Sequence, residues 1–114
     1  MNQLSSRFSE YCIMWVLVFF DMPTETKRQR KEYASFRKQL LKDGFKMFQF
    51  SIYIRNCPSM ENADMHRRRI KAFKPEYGDI GILTITDKQF AAIELLHGYK
   101  KPVPPPVSVQ LELY

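Results

Sequence analysis

The chain has 114 residues, 45% of them hydrophobic and 14% aromatic, which indicates one globular domain rather than a disordered tail. Eighteen Lys and Arg against twelve Asp and Glu give a formal net charge of +6, which favours a polyanionic partner such as nucleic acid. No apolar run approaches the roughly 18 residues of a membrane span. We therefore expect a soluble, cytoplasmic protein with no membrane partner.

A strand ending in a carboxylate is the first predicted element. The polar segment 1–12 is interpreted as an N-terminal arm. The apolar run from Ile13 to Phe20 then predicts a central strand buried on both faces. Asp21 follows directly, at the carboxyl end of that strand.

A basic amphipathic helix is predicted over 24–43. Thr24 is the expected N-cap, Glu25 favours the first turn, and Gly44 suits the C-terminal end. Its apolar stripe has helical spacing and comprises Tyr33, Phe36, Leu40 and Leu41.

The remaining segments predict the rest of a domain over 13–97. Residues 45–55 favour one bent strand or two short strands joined by a bulge, and Ser59 begins a second helix. A strand over 79–86 and a short third helix over 87–96 follow. This order predicts an α+β, ferredoxin-like βαββαβ sandwich.

The segment 98–114 combines a Pro-rich arm with an alternating apolar pattern from Val107 to Tyr114. The pattern predicts an extra C-terminal strand. A stiff spacer lets such a strand reach the sheet edge of a neighbour, which predicts a homodimer with strand exchange.

The cationic excess is concentrated on the two main helices. Between Glu25 and Lys46 the sequence has eight cations and three anions. The candidate nucleic-acid contacts are Lys27, Arg28, Arg30, Lys31, Lys38, Arg67, Arg68 and Arg69. The sequence has no zinc-finger spacing and no clear helix-turn-helix, so we expect phosphate contacts that tolerate any base sequence and depend on salt. A merely solvated helix face is the alternative.

Asp21 is the candidate metal ligand. Magnesium prefers oxygen ligands, often one or two carboxylates with water and phosphate oxygens. One carboxylate is too few, but a twofold axis would supply a second copy. A shared Mg²⁺ would then polarise a phosphodiester bond. The alternative is that Asp21 only accepts hydrogen bonds from the backbone of the following turn. Zinc is not expected, because Cys12, Cys57 and the two histidines show no ligand spacing.

Four segments resemble the CRISPR-associated protein 2 family, especially its members from type II systems. They read VLVFFDMPTETKRQR, RKQLLKDGF, MFQFSIYIR and GILTITDKQF, and the resemblance covers about residues 13–97. It implies a ferredoxin-like homodimer at the centre of a spacer-acquisition complex. That dimer bridges two dimers of the CRISPR-associated protein 1 integrase and contacts the backbone of double-stranded prespacer DNA.

The resemblance also implies roles for particular residues. Some family members are magnesium-dependent endonucleases on RNA or DNA, and Asp21 matches their metal ligand and catalytic residue. Arg28 and Arg30 match the family's Arg-x-Arg positions, and Ser51 and Tyr53 match its Gln-x-Ser-[Val/Ile]-[Phe/Tyr] segment. Two residues apart on a helix, the arginines point about 200° from one another.

Two departures favour a scaffold over a nuclease. Many nuclease members have Tyr before the Asp and a basic residue in the second strand, where this chain has Phe20 and Met47. A DNA-binding scaffold of spacer integration is therefore the leading hypothesis, and a magnesium-dependent endonuclease is the second. The third is an unrelated ferredoxin-like module that binds RNA or protein without a metal.

Overall fold

The computed structural model describes residues 13–97, and these form four strands and three helices. The predicted arm 1–12 and the predicted strand 107–114 lie outside the described residues. The elements in chain order are β1 (Met14–Asp21), α1 (Lys27–Lys42), β2 (Lys46–Gln49), β3 (Ile52–Cys57), α2 (Met60–Ala72), β4 (Asp79–Thr86) and α3 (Asp87–Ala91).

The four strands form one antiparallel sheet in the order β2-β3-β1-β4. The apolar strand β1 is central, with Val18 opposite Tyr53 of β3 and Ile82 of β4. Helices α1 and α2 both pack on one face of this sheet. The predicted ferredoxin-like α+β fold is confirmed for residues 13–97.

The main core lies between the helices and alternate residues of β1. The β1 side chains on this face are buried, and they are Met14, Val16, Val18 and Phe20. Phe36 and Leu40 of α1 pack against them, as the helical stripe predicts, and so does Ile70 of α2. Leu41, also assigned to that stripe, is exposed, because it lies beyond the buried arc of the helix.

The opposite face of the sheet is only partly covered, so the prediction that β1 is buried on both faces was wrong. Trp15 stacks on Phe90 of α3 with ring centroids 4.0 Å apart. Helix α3 covers only that end of the sheet. At the other end, Phe19 is 46% exposed and Leu83 is 48% exposed. We call this second face the open face.

Trp15 should contribute strongly to stability. Its side chain is fully buried, and its Nε1–H donates to Asp87 Oδ1 at 2.7 Å. Trp15→Ala should lower the free energy of unfolding by about 3–5 kcal/mol, because it removes the stacked ring and leaves a cavity. Denaturant unfolding followed by circular dichroism measures this. A loss below about 1 kcal/mol would show that the site collapses around the smaller side chain.

Helix α1 begins two residues later than predicted, because its N-cap is Thr26 and not Thr24. Thr26 is the N-cap: its hydroxyl accepts from the Gln29 N–H at 3.1 Å, and Gln29 Oε1 accepts from the Thr26 N–H at 3.0 Å. This reciprocal capping box needs Glu or Gln three residues after the cap. Thr24 is followed at that spacing by Lys27, so Glu25 lies outside the helix instead of in its first turn.

The segment 45–55 forms two strands joined by a tight turn at Phe50 and Ser51. The alternative of two short strands is confirmed, and the pairing does contain an irregularity, between Met47 and Gln49. Ser51 adopts a φ of 70°, a region that residues other than Gly seldom enter. The turn therefore forms without the Gly, Asn or Asp usually found in hairpins.

Ser59 is the N-cap of α2, as predicted: its hydroxyl accepts from the Asn62 N–H at 3.0 Å, and the helix itself starts at Met60. The third helix, predicted to reach residue 96, ends at Ala91. Its buried contact is made by Phe90 alone, and Leu96 is almost fully exposed.

Cys57 and His66 are internal packing residues. Burial raises the pKa of the Cys57 thiol, so the neutral form is favoured, consistent with a reduced structural cysteine. His66 Nδ1 lies 2.7 Å from Asp43 Oδ2, which connects α2 to the C-terminal end of α1. Among residues 13–97, no helix is long and apolar enough to cross a membrane.

Candidate carboxylate pair and basic groove

Asp21 and Asp79 form a pair of carboxylates at one end of the open face. Asp21 is the last residue of β1, and the antiparallel register places it opposite Asp79, the first residue of β4. Directly opposed residues have Cβ atoms about 4.5–5.5 Å apart. Both side chains are exposed, and neither makes a hydrogen bond or ion pair with any residue of 13–97.

The backbone around Asp21 is held by two neighbouring segments. The Phe20 N–H donates to the Ser51 carbonyl at 3.1 Å, which connects the end of β1 to the hairpin turn. Gly78 packs against the other side, where an added Cβ would lie 2.9 Å from the Asp21 carbonyl oxygen. Gly78 also has a φ of 103°, so this close approach requires glycine. The carboxylate of Asp21 therefore projects from a well-supported strand end.

The donor set of this pair fits a hard divalent cation. Carboxylate oxygens are the ligands that Mg²⁺ prefers, and one or two of them with water complete its usual protein sites. Like charges opposite one another in a sheet are unfavourable unless something neutralises them. Within 13–97 no three His, Cys, Asp or Glu side chains come together, so one copy of the domain offers two carboxylates at this place.

Sequence reasoning missed Asp79. The residue stands at the start of a predicted strand, which is a visible signal. Its pairing with Asp21 depends on the β1–β4 register, and these strands are far apart in the chain.

Phe20 and Tyr53 belong to the core rather than to the carboxylate site. The Phe20 ring contacts those of Tyr33, Phe36 and Tyr53, with centroids 5.2–6.0 Å apart. It therefore faces the helices, opposite to Asp21. The absence of a tyrosine hydroxyl at position 20 leaves the open face unchanged. Tyr53 is 1% exposed, and its hydroxyl accepts from Arg37 Nε at 2.6 Å.

A basic groove lies on the helical side of the sheet, between the start of α1 and the segment that follows α2. Its volume is about 1270 Å³. Four cations line it, and they are Lys27, Arg28, Lys31 and Lys74. Phe36 and Phe73 contribute apolar surface, and the anionic lining residues are Glu32 and Glu76. Three of the predicted contact residues therefore come together here.

Arg28 and Arg30 reach different places, as their helical spacing predicts. Arg28 Nη2 donates to Glu76 Oε1 at 3.0 Å, and its guanidinium lies 5.7 Å from the centre of the Tyr77 ring. Arg30 Nη1 instead donates to the backbone carbonyls of Thr24 and Glu25, at 3.1 and 3.0 Å. One arginine lines the groove and the other folds back onto the β1–α1 loop.

The basic residues of α2 do not join the groove. Arg67 pairs with Asp64 at 3.3 Å and Arg69 with Asp43 at 2.7 Å, so part of their charge is neutralised within the chain. Arg68 is exposed and makes no ion pair with residues 13–97. Lys38 is likewise exposed on α1, outside the groove.

Comparison with known proteins gives consistent matches to one family. The family model for CRISPR associated protein Cas2 matches residues 14–93. A protein named CRISPR-associated endoribonuclease Cas2 from Flavobacterium psychrophilum is 54% identical, over 96% of this chain and 95% of the relative. A relative of the same name from Parvibaculum lavamentivorans is 48% identical, over 89% of this chain and all of its own length.

The fold agrees with these matches. A solved structure titled "Crystal structure of cas2" superimposes with a TM-score of 0.54 at 22% identity, covering 81% of this chain and 95% of the other. The family match spans the sheet, both main helices, the carboxylate pair and the groove. The chain belongs to the CRISPR-associated protein Cas2 family.

Proposed function

We propose that the protein is a nucleic-acid-binding scaffold of CRISPR spacer acquisition, acting as a homodimer that bridges integrase dimers. The basic groove carries this proposal. It lies on the helical side of the sheet, whereas the exposed apolar residues Phe19 and Leu83 lie on the open face. A dimer formed through two open faces would leave both grooves directed outward, available to a duplex.

The open face suits a second copy of the chain. Phe19 and Leu83 are large apolar residues exposed on adjacent strands, beside the Asp21–Asp79 pair. The Phe19 ring covers Gly81, where an added Cβ would lie 2.2 Å from Phe19 Cε2. Gly81 therefore leaves the space beside β1 that the Phe19 ring occupies, where any larger residue would collide with it.

Phe19→Glu should weaken self-association by about 30-fold or more, because it buries a charge at the centre of the proposed interface. Met60→Glu is the matched control: Met60 is 48% exposed, close to the exposure of Phe19, but lies on α2 on the helical side. Sedimentation velocity over a range of concentrations measures both. Equal effects from the two changes, or none from Phe19→Glu, would contradict a dimer through the open face.

The groove should bind the phosphate backbone of a duplex. Lys27 and Lys31 lie one helical turn apart on α1, and Lys74 lines the same groove from beyond α2. Phosphate contacts release counterions, so affinity should fall steeply with salt and vary little with base sequence.

Glu76 should limit this binding, because it pairs with Arg28 at 3.0 Å inside the groove. Glu76→Gln should raise duplex affinity several-fold, since it removes one anion and frees one cation. Fluorescence anisotropy with a labelled duplex measures the change. Glu61→Gln, an equal charge change at the exposed start of α2, should have a smaller effect. Weaker binding by Glu76→Gln would show that the ion pair holds Arg28 in its binding position.

A second candidate is a metal-dependent endonuclease, favoured by the carboxylate pair and by the endoribonuclease name of the relatives. Asp21 and Asp79 would hold the Mg²⁺, with the second copies of these residues available across a twofold axis. The bound cation would supply Lewis-acid polarisation of a phosphodiester. Asp21 is the residue whose position at the exposed strand end best suits this role.

Complex formation tests the scaffold proposal. The full chain is mixed with its candidate CRISPR-associated protein 1 integrase and a short duplex, and the products are separated by size exclusion. We expect one species that contains both proteins and the DNA. Separate elution of this protein at all salt concentrations tested would contradict the proposal.

A further inference from the structure

The β1–α1 loop, residues 22–26, connects Asp21 to the first helix. Met22 is 8% exposed and packs in the main core. Pro23 follows, and a proline ring restricts the backbone φ to about −65°. The next three residues, Thr24 to Thr26, have exposed side chains. Their backbone groups need partners from elsewhere if this part of the loop is to keep one conformation.

Two adjacent side chains of α1 supply those partners. Gln29 Oε1 accepts from the N–H groups of Glu25 and Thr26, at 2.9 and 3.0 Å. Arg30 Nη1 donates to the carbonyls of Thr24 and Glu25, at 3.1 and 3.0 Å. One side chain therefore satisfies loop donors and its neighbour satisfies loop acceptors. The first turn of α1 holds the loop from both sides.

We infer that Arg30 is a positioning residue for Asp21. Arg30 holds the loop that follows Asp21 in the chain. Gly78 and the Ser51 carbonyl hold the end of the strand itself. Hydrogen bonds from a charged donor are stronger than neutral ones, and the guanidinium presents its N–H groups in a planar fork. The sequence motif that contributes Arg28 to the groove thus contributes Arg30 to the loop that follows Asp21.

Arg28 provides a matched comparison. It stands two residues earlier on the same helix and is also exposed, but its guanidinium contacts Glu76 and Tyr77 rather than the loop. Arg28→Met and Arg30→Met remove the same charge and keep a similar apolar stem. Any difference between these variants at the loop or at Asp21 therefore reflects the carbonyl contacts and not the net charge.

The experiment uses nuclear magnetic resonance on the full chain without nucleic acid. Arg30→Met should speed amide hydrogen exchange at Glu25 and Thr26 by about fivefold or more and should move or broaden the side-chain ¹³C carboxyl signal of Asp21. Arg28→Met should leave both near wild type. The carboxyl signal of Asp87, at the opposite end of the sheet, should stay unchanged in both variants. An unchanged Asp21 signal in Arg30→Met, or equal changes in the two variants, would overturn the inference.

The consequence for function rests on the proposed cation role of Asp21. Mn²⁺ added as a probe should broaden the Asp21 carboxyl signal in the wild type, and Arg30→Met should need several-fold more Mn²⁺ for the same broadening. Equal Mn²⁺ requirements would overturn the link between the loop and the cation. A wild type that shows no Mn²⁺ broadening would refute the cation role, while the exchange and carboxyl shifts would still decide the positioning role.

Discussion

Replacing Lys27 and Lys31 together by Glu should lower duplex affinity by about 100-fold or more, with a shallower dependence on salt. Both side chains are exposed, line the same groove and make no ion pair with any residue of 13–97. Each phosphate contact contributes about 0.9 to the slope of log affinity against log salt, so loss of two contacts should reduce the slope by about 2. Anisotropy titrations between roughly 50 and 200 mM salt measure both quantities.

A charge-matched variant separates local contacts from net charge. Lys46→Glu with Lys88→Glu makes the same total change, but these residues lie on β2 and α3, outside the groove. This control should weaken binding much less and should keep the wild-type slope. Equal losses in the two double variants would show that the overall field of the protein, and not the groove, governs binding.

Asp21→Asn should lower any Mg²⁺-dependent cleavage of RNA or DNA by at least about 100-fold while leaving duplex affinity within a few-fold of wild type. The reason is that Asn keeps the shape of the side chain but removes one of the paired anions that would hold the cation. Asp79→Asn should reduce cleavage by a smaller factor, about 10-fold, if it is the supporting ligand. Single-turnover cleavage with and without a chelator measures these effects.

Asp64→Asn is the control for this series, because Asp64 lies on α2 and pairs with Arg67 away from the open face. Its cleavage rate should equal that of the wild type. Cleavage that survives Asp21→Asn would identify a contaminating nuclease. Cleavage lost in Asp21→Asn but unaffected in Asp79→Asn would assign the cation to Asp21 residues of two copies alone.

Much of the fold could be predicted because its signals are local. The apolar run of β1 and the helical stripe of α1 each fall within one segment, and the structure places both near the predicted bounds. The start of α1 could also have been predicted from the sequence. Thr26 is followed three residues later by Gln29, which is capping-box spacing, whereas Thr24 is followed at that spacing by a lysine. The turn at Ser51 could not be predicted, because its φ of 70° is one that Ser seldom adopts and the segment lacks the Gly, Asn or Asp usual in hairpins.

The candidate site was only partly predictable because its contacts are long-range. Asp21 could be found from its position at a strand end, but its neighbour Asp79 depends on strand register. Residue type alone also cannot distinguish cationic side chains that bond to other groups of the domain from those that are available to a ligand. Arg30 and Arg69 make contacts within the domain, whereas Lys27 and Lys31 project into the groove.

Integration by the reconstituted complex tests the scaffold claim most directly. The protein, its candidate integrase and a short prespacer duplex are combined with a target, and joined products are measured for three forms: wild type, Asp21→Ala and the Lys27→Glu, Lys31→Glu variant. We predict that the complex containing Asp21→Ala forms as much joined product as the wild-type complex. The complex containing the double variant should form far less. Loss of integration in Asp21→Ala, or full integration by the double variant, would contradict the scaffold account.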